Sequence, residues 1–184
     1  MGNVIVDSRP AGFLADLLRQ FPNPVFVETG TFSGYGLWEA LQAGFSEIIG
    51  IELDPDLYQM CARRFGYNPQ IKLYCGDSGD LLYDVLRGCP HPITFFLDAH
   101  YSGEGTAKGK TNTPILYELD AIHKLAGRHT ILIDDANQFG TAAFDGITGR
   151  QIESCLKSIN PDYKLLVFSG NGRGDVLAAI PQEA

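Results

Sequence analysis

The sequence predicts a doubly wound α/β fold, and three observations lead there. Short apolar runs of strand length alternate with segments of helical period along the whole chain. A glycine-rich turn follows the first of those runs. The last two runs flank a Ser-Gly-Asn-Gly-Arg-Gly stretch, which reads as an antiparallel hairpin. Such alternation implies a mostly parallel sheet covered on both faces, with its strand C-termini along one edge.

The elements follow in order. Pro10 to Phe21 predicts an amphipathic helix with Phe13, Leu14, Leu17, Leu18 and Phe21 on one stripe. Pro24 to Glu28 is a buried strand, and the helix after its turn carries Leu37, Ala40 and Leu41 as far as Gly44. Glu47 to Glu52 is the second strand. Asp54-Pro55 then offers an N-cap with proline at the first helical position, opening a helix toward Arg64. Gln70 to Cys75 is the third strand. Ser78 can cap the helix bearing Leu81, Leu82, Val85 and Leu86, which Gly88 stops. Ile93 to Leu97 is the fourth strand, followed by a loop from Tyr101 to Thr113. Thr113-Pro114 opens a helix whose inner face is Ile115, Leu116, Leu119 and Ile122. Thr130 to Ile133 is a strand, Thr148 caps a helix through Ile159, and Tyr163 to Phe168 with Asp175 to Ile180 form the hairpin.

The length of 184 residues predicts one domain over 1–184, with the N-terminal helix of 1–22 packing on it. A hydrophobic fraction of 45% suits a globular chain. The net charge of −8, with no run of Lys or Arg, argues against nucleic acid as a partner. The four cysteines, Cys61, Cys75, Cys89 and Cys155, lack the spacing of a zinc site, and a disulfide framework is not expected at this length. The N-terminus has neither a secretory pattern nor a Ser or Thr at position 6 for myristoylation. No apolar run approaches membrane-spanning length. A soluble, cytoplasmic protein without membrane association is the expectation.

Three acidic stations sit at consecutive strand ends. Glu28, Gly30 and Gly34 make an E-x-G-x-x-x-G turn that includes Thr31. Glycine lets the backbone approach a ligand, and the helix beginning there offers free N–H donors. Glu28 could hold the cationic amino group of a bound amino acid, although a plain strand-to-helix turn uses the same glycines. Glu52 is placed to accept hydrogen bonds from ribose hydroxyls, or else it is a solvated strand end. Asp77 can accept from an exocyclic amine such as adenine's. Asp77 or Ser78 can equally cap the next helix, and both roles can hold together.

In this order, the stations resemble the class I S-adenosylmethionine-dependent methyltransferases over nearly the whole chain. That resemblance implies the Rossmann-like methyltransferase fold, a seven-stranded sheet whose last two strands form the hairpin. It also implies that S-adenosylmethionine (SAM) is held by Glu28, Gly30, Thr31, Gly34, Glu52, Asp77 and Ser78. The segment Val27 to Tyr35 is most similar to the small cation-dependent O-methyltransferases. In that subgroup an aspartate after strand four and an acidic pair after strand five hold a divalent metal. Asp98, Asp134 and Asp135 stand at the matching places, so Mg²⁺ or another divalent cation is the implied metal. Three like charges at one crevice repel unless a cation or proton lies among them, and hard oxygen ligands suit Mg²⁺, Ca²⁺ or Mn²⁺. Asp98 could instead touch the cofactor.

The chain departs from the subgroup at Tyr101, where a catalytic lysine is often found. His100 is the nearest titratable substitute for a general base, so Asp98 and His100 are the candidate catalytic pair, with Tyr101 behind them. With one helix before the first strand, the acceptor must be covered by the Tyr101–Thr113 loop or by a second subunit, as in a homodimer. The loop's Gly hinges, Glu104, Lys108 and Lys110 suit a lid over an acidic or phosphorylated acceptor, or a solvated surface. The expected activity is methyl transfer to a small hydroxylated acceptor. A non-catalytic SAM-binding module is the alternative. A metal-dependent hydrolase using Asp98, His100, Asp134 and Asp135, or an NAD-type oxidoreductase, follows behind. The last is opposed by Phe32, which occupies the place of the middle glycine of G-x-G-x-x-G.

Overall fold

A computed structural model describes residues 13–103, 105–169 and 175–182. The elements run α1 (Phe13–Leu18), β1 (Val25–Thr29), α2 (Tyr35–Ala43), β2 (Glu47–Glu52), α3 (Pro55–Phe65), β3 (Ile71–Cys75) and α4 (Ser78–Leu86). They continue with β4 (Ile93–Leu97), α5 (Ile115–His123), β5 (Thr130–Ile133), α6 (Gly149–Ile159), β6 (Tyr163–Phe168) and β7 (Val176–Pro181). Two short 3-10 turns, Ala136–Gln138 and Ala142–Phe144, follow β5. No described helix is long and apolar enough to cross a membrane.

The seven strands form one sheet in the order β3-β2-β1-β4-β5-β7-β6. Every pairing from β3 to β5 is parallel, and β7 runs antiparallel to both β5 and β6. The chain therefore starts in the middle of the sheet, works outward, and returns to β4. The switch point lies between β1 and β4, where an open α/β sheet leaves its ligand crevice.

Alternation along the strands separates two cores. Val25 and Val27 of β1 face Leu82, Leu86, Ile115, Leu119, Ile122, Ile152 and Leu156 from α4, α5 and α6. Phe26 faces Leu14, Leu18, Leu37, Ala40, Cys61 and Phe65 from α1, α2 and α3. Each fully buried large side chain of this kind contributes about 1.5–3 kcal/mol. The inner parallel strands β1, β2, β4 and β5 are buried on both faces, which is why they read in sequence as continuous apolar runs, whereas the edge strand β3 is largely exposed.

Helix ends are set by local chemistry. Asp54 Oδ1 accepts from the N–H groups of Asp56 (2.8 Å) and Leu57 (3.2 Å), with Pro55 in the first helical position. Thr148 and Gln151 form a reciprocal capping box at α6. Gly44, at φ 95°, ends α2 and donates to the carbonyls of Ala40 and Leu41. Two expectations need correction. Asp77, not Ser78, caps α4: its Oδ1 accepts from Gly79 N at 3.0 Å, while the Ser78 hydroxyl turns into the interior. Leu116 is 37% exposed, and the inner-face position on α5 goes instead to Glu118, which is 1% exposed. The described part of the first helix is shorter than expected, Phe13–Leu18, with further turns to Phe21. Pro10 to Gly12, Glu104 and the Gly170 to Gly174 part of the hairpin turn lie outside the described residues.

Candidate active site

The sheet's main-chain ladder continues one residue past its strands, and three of those four residues, Gly30, Asp98 and Asp134, are ones the sequence singles out. Gly76 N donates to Glu52 O (2.8 Å), Gly30 N to Ile51 O (2.9 Å), Asp98 N to Thr29 O (3.1 Å) and Asp134 N to Leu97 O (3.0 Å). The ends of five neighbouring strands, β3, β2, β1, β4 and β5, are thereby held level along one edge. A cavity opens above them, lined by Glu28, Glu52, Asp77 and Asp98 among others.

The turn from β1 into α2 has little spare room. Gly30 (φ 77°) and Gly34 (φ 79°) are left-handed, and a Cβ on Gly30 would stand 2.3 Å from the Asp98 carbonyl oxygen. Phe32 between them is also left-handed at φ 47°, a strained conformation for a bulky side chain. Its N–H donates to Glu52 Oε2 at 2.8 Å, and the Thr31 hydroxyl reaches the same oxygen at 3.4 Å. Glu52 Oε1 accepts from Asp54 N at 2.8 Å. Both oxygens of Glu52 are thus already in use, and a carboxylate's remaining lone pairs are what it has left for a ligand. Burial raises the Glu52 carboxyl above its ordinary value, against the pull of the Asp54 and Phe32 N–H groups. Glu28 is buried against the first turn of α2, where a Cβ on Gly36 would come within 1.7 Å of Glu28 Oε1. That side chain can lie there only because residue 36 is glycine.

Across the crevice, the ring of His100 bridges two carboxylates. Its Nδ1 lies 3.7 Å from Asp98 Oδ1, and its Nε2 lies 3.3 Å from Asp135 Oδ2 and 3.3 Å from Ser102 Oγ. Phe144 stacks beneath the ring at 5.4 Å between centroids. Burial pushes the imidazole down, but the hydrogen bond to Asp98 and the charges of Asp135, Asp98 and Asp134 outweigh it and hold His100 above its ordinary pKa. Asp135 is itself left-handed, at φ 54°. Ligand atoms of Asp98, His100 and Asp135 all fall within 4.8 Å of one another, the one such group among the described residues. Asp134 is buried behind them and is not part of that group.

The loop after Tyr101 forms the cavity's roof, contributing Thr106, Ala107, Gly109 and Thr111. Gly109 lies close over Asp77, so that a Cβ there would be 3.0 Å from Asp77 Oδ2. Lys110 bonds both oxygens of Asp80 at 2.8 and 2.7 Å. Asp145 anchors the loop's far end, its Oδ2 accepting from Asn112 N (2.8 Å) and Thr113 N (3.1 Å). Lys108 sits over the Tyr101 ring at 5.6 Å.

Sequence reasoning missed Asp145, Gly36 and Glu118. The first two leave no sequence signal, because their partners are more than a helix away or lie in the opposing side chain. Glu118 did leave one: it is a lone acid among Ile115, Leu119 and Ile122 on an otherwise apolar stripe.

No protein-family profile and no curated protein matches the chain. Solved structures do. The O-methyltransferase from Streptomyces achromogenes involved in tomaymycin synthesis, in complex with SAM, is 18% identical with a TM-score of 0.64, covering 93% of this chain and 79% of that one. An O-methyltransferase from Bacillus cereus in complex with SAH is 16% identical with a TM-score of 0.66, covering 96% and 84%. An SAH-bound methyltransferase from Podospora anserina is 18% identical with a TM-score of 0.61, covering 97% and 80%. At such identities the likeness is one of architecture: the chain has the Rossmann-like methyltransferase fold.

Proposed function

We propose that the protein is a SAM-dependent methyltransferase that acts on an oxygen of a small hydroxylated acceptor. One observation carries the reading: a single cavity is lined both by Glu28, Glu52 and Asp77 and by Asp98, His100 and Asp135. The first three suit a ligand bearing an ammonium, a ribose and an amino-purine. The second three suit an acceptor hydroxyl and its proton. The SAM- and SAH-bound O-methyltransferases of the same fold support the reading.

The residues present fit both groups that the reading invokes. The tight turn at Gly30 and Gly34 leaves main chain exposed to the cofactor, and Glu28 is seated on Gly36 with its charge at the start of α2. Two carboxylates and an imidazole are a donor set for a divalent cation, and imidazole extends the choice from Mg²⁺ to Mn²⁺ and its heavier neighbours. SAM supplies an electrophilic methyl group, and a divalent cation supplies Lewis acidity toward the acceptor oxygen.

The chain's own residues do the rest. Glu28 binds the ammonium of the amino-acid portion, Glu52 the ribose hydroxyls and Asp77 the purine amine. Gly30, Thr31 and Gly34, with the main chain of Ser78, complete the cradle. Asp98 holds Nδ1 of His100, and Nε2 takes the acceptor proton when no metal is bound. Asp134 adds negative potential from behind. The roof loop would exclude water, and holding the acceptor hydroxyl in line with the bound cofactor would be the main source of rate.

The test is calorimetry with S-adenosylhomocysteine, then turnover with a panel of catechol-like and sugar hydroxyl acceptors, with and without EDTA and added Mg²⁺ or Mn²⁺. Binding with turnover is expected. No binding at millimolar ligand overturns the reading, and binding without turnover on any acceptor reduces the protein to a cofactor-binding module.

A further inference from the structure

Helix α5 carries a carboxyl group where its pattern demands an apolar side chain. Ile115, Leu119 and Ile122 face the core, and Glu118 shares their face, 1% exposed. Burying a carboxylate among hydrocarbon is strongly unfavourable unless it is hydrogen-bonded. The bond it makes is specific: Ser78 Oγ donates to Glu118 Oε1 at 2.6 Å, sealed from solvent on both sides.

Ser78 is the first residue of α4, directly after the cap Asp77, and both line the cavity. The same turn touches α5 a second time. Gly79 lacks a side chain, so α4 comes close enough that a Cβ there would be 2.9 Å from Tyr117 Cβ. Tyr117 and Glu118 together dock α5 onto the one turn of α4 that faces the site. Burial pushes the Glu118 carboxyl up to about 7, with the Ser78 and Thr29 hydroxyls opposing the rise and Asp77 and Asp98 adding to it. The group is therefore in electrostatic contact with two carboxylates that line the cavity, Asp77 and Asp98.

We infer that Glu118 is a positioning residue for purine recognition: by fixing the Ser78 hydroxyl it locks the first turn of α4, so that the Asp77 carboxylate meets the six-amino edge of the base in one orientation. The inference rests on the cofactor reading above and adds to it a residue that touches no ligand. It makes Glu118 responsible for discrimination between bases and not for overall grip, because the ribose and ammonium sites at Glu52 and Glu28 belong to other elements.

The test compares binding of S-adenosylhomocysteine with that of S-inosylhomocysteine, whose purine carries an oxo group in place of the amine. Wild type should prefer the adenosyl form. Glu118→Leu should lose about tenfold of that preference, through weaker adenosyl binding alone. Glu118→Gln should retain it, since the amide oxygen still accepts from Ser78. Ser78→Ala removes the same bond from the other side and should match Glu118→Leu, with the double variant no worse than either. Should Glu118→Leu fail to fold in a thermal melt, Ser78→Ala decides. The inference is overturned if wild type shows no preference, if the variants keep it, or if both ligands weaken by the same factor, which is the mark of a general structural defect. Failure of wild type to bind either ligand removes the cofactor reading first, and this inference with it.

Discussion

Glu52 gathers the N–H groups of Phe32 and Asp54 on its two oxygens before any ligand arrives. Its loss should therefore act twice, through the missing ligand contact and through a loosened turn. Glu52→Ala is expected to weaken S-adenosylhomocysteine by about 1.5–3 kcal/mol, roughly ten- to a hundredfold, measured by calorimetry. Unchanged affinity would remove Glu52 from the site. Gly30 is the most constrained residue of the turn. In Gly30→Ala the added methyl meets the Asp98 carbonyl, and the left-handed φ of 77° adds roughly 1–2 kcal/mol of strain. A lowered melting temperature with abolished binding is expected, and a variant that melts and binds like wild type would contradict the geometry. At this scale the sequence was legible wherever a charged residue ended an apolar run. Glu28, Glu52 and Asp98 stand out because they lie at the ends of buried apolar runs, and Asp77 because it follows the third strand. Asp145 does not stand out, since its value lies in two N–H groups of a distant loop.

At the scale of elements, α5 gives a measurable pH dependence. The Glu118 carboxyl titrates near 7 in the fold against an ordinary 4.5, so the folded state holds a proton there that the unfolded chain has released between those values. Stability from this group is full below pH 4.5 and is lost as the pH rises through 7, by about 3 kcal/mol in all. Urea unfolding at pH 5.5 and 7.5 should show wild type losing stability over that window and Glu118→Gln losing less. Equal slopes for the two proteins would show that the carboxyl is ionised throughout. The roof loop is the second element with a clear handle. Asp145→Ala should speed hydrogen exchange at the Asn112 and Thr113 amides by about fivefold, below the usual range for a bond to a charged group because Asp145 is exposed. Exchange no faster than in wild type would mean that the loop is held elsewhere. The strands Glu47–Glu52, Ile93–Leu97 and Thr130–Ile133 were readable to the residue, since burial on both faces leaves an unbroken apolar run. The cap of α4 and the inner face of α5 were not. There Ser78 and Glu118 satisfy each other across two helices, and neither partner's periodicity reports a bond made in space.

For the whole molecule, a ligand that binds only the folded state raises stability by about 2.7 kcal/mol at a hundred times its dissociation constant. In a chain of this size that corresponds to a rise of roughly 5–11 °C in melting temperature. S-adenosylhomocysteine should produce such a shift, and NADH should not; the reverse result would favour an oxidoreductase. Mn²⁺ should shift the melt as well, and the Asp135→Ala variant should abolish the metal's effect while sparing the nucleoside's. A metal shift that survives Asp135→Ala would place the ion elsewhere on a chain whose net charge is −8.

The ladder that runs one residue beyond the strands, through Gly76, Gly30, Asp98 and Asp134, is made entirely by main-chain N–H groups. At Asp98 and Asp134 the bond that holds the sheet is thereby separate from the side chain. Exchange of the Asp98 side chain leaves these main-chain donors in place, so a point mutation there need not remove a rung of the ladder. A scaffold so arranged is free to diverge in what it acts upon long after its framework has stopped changing.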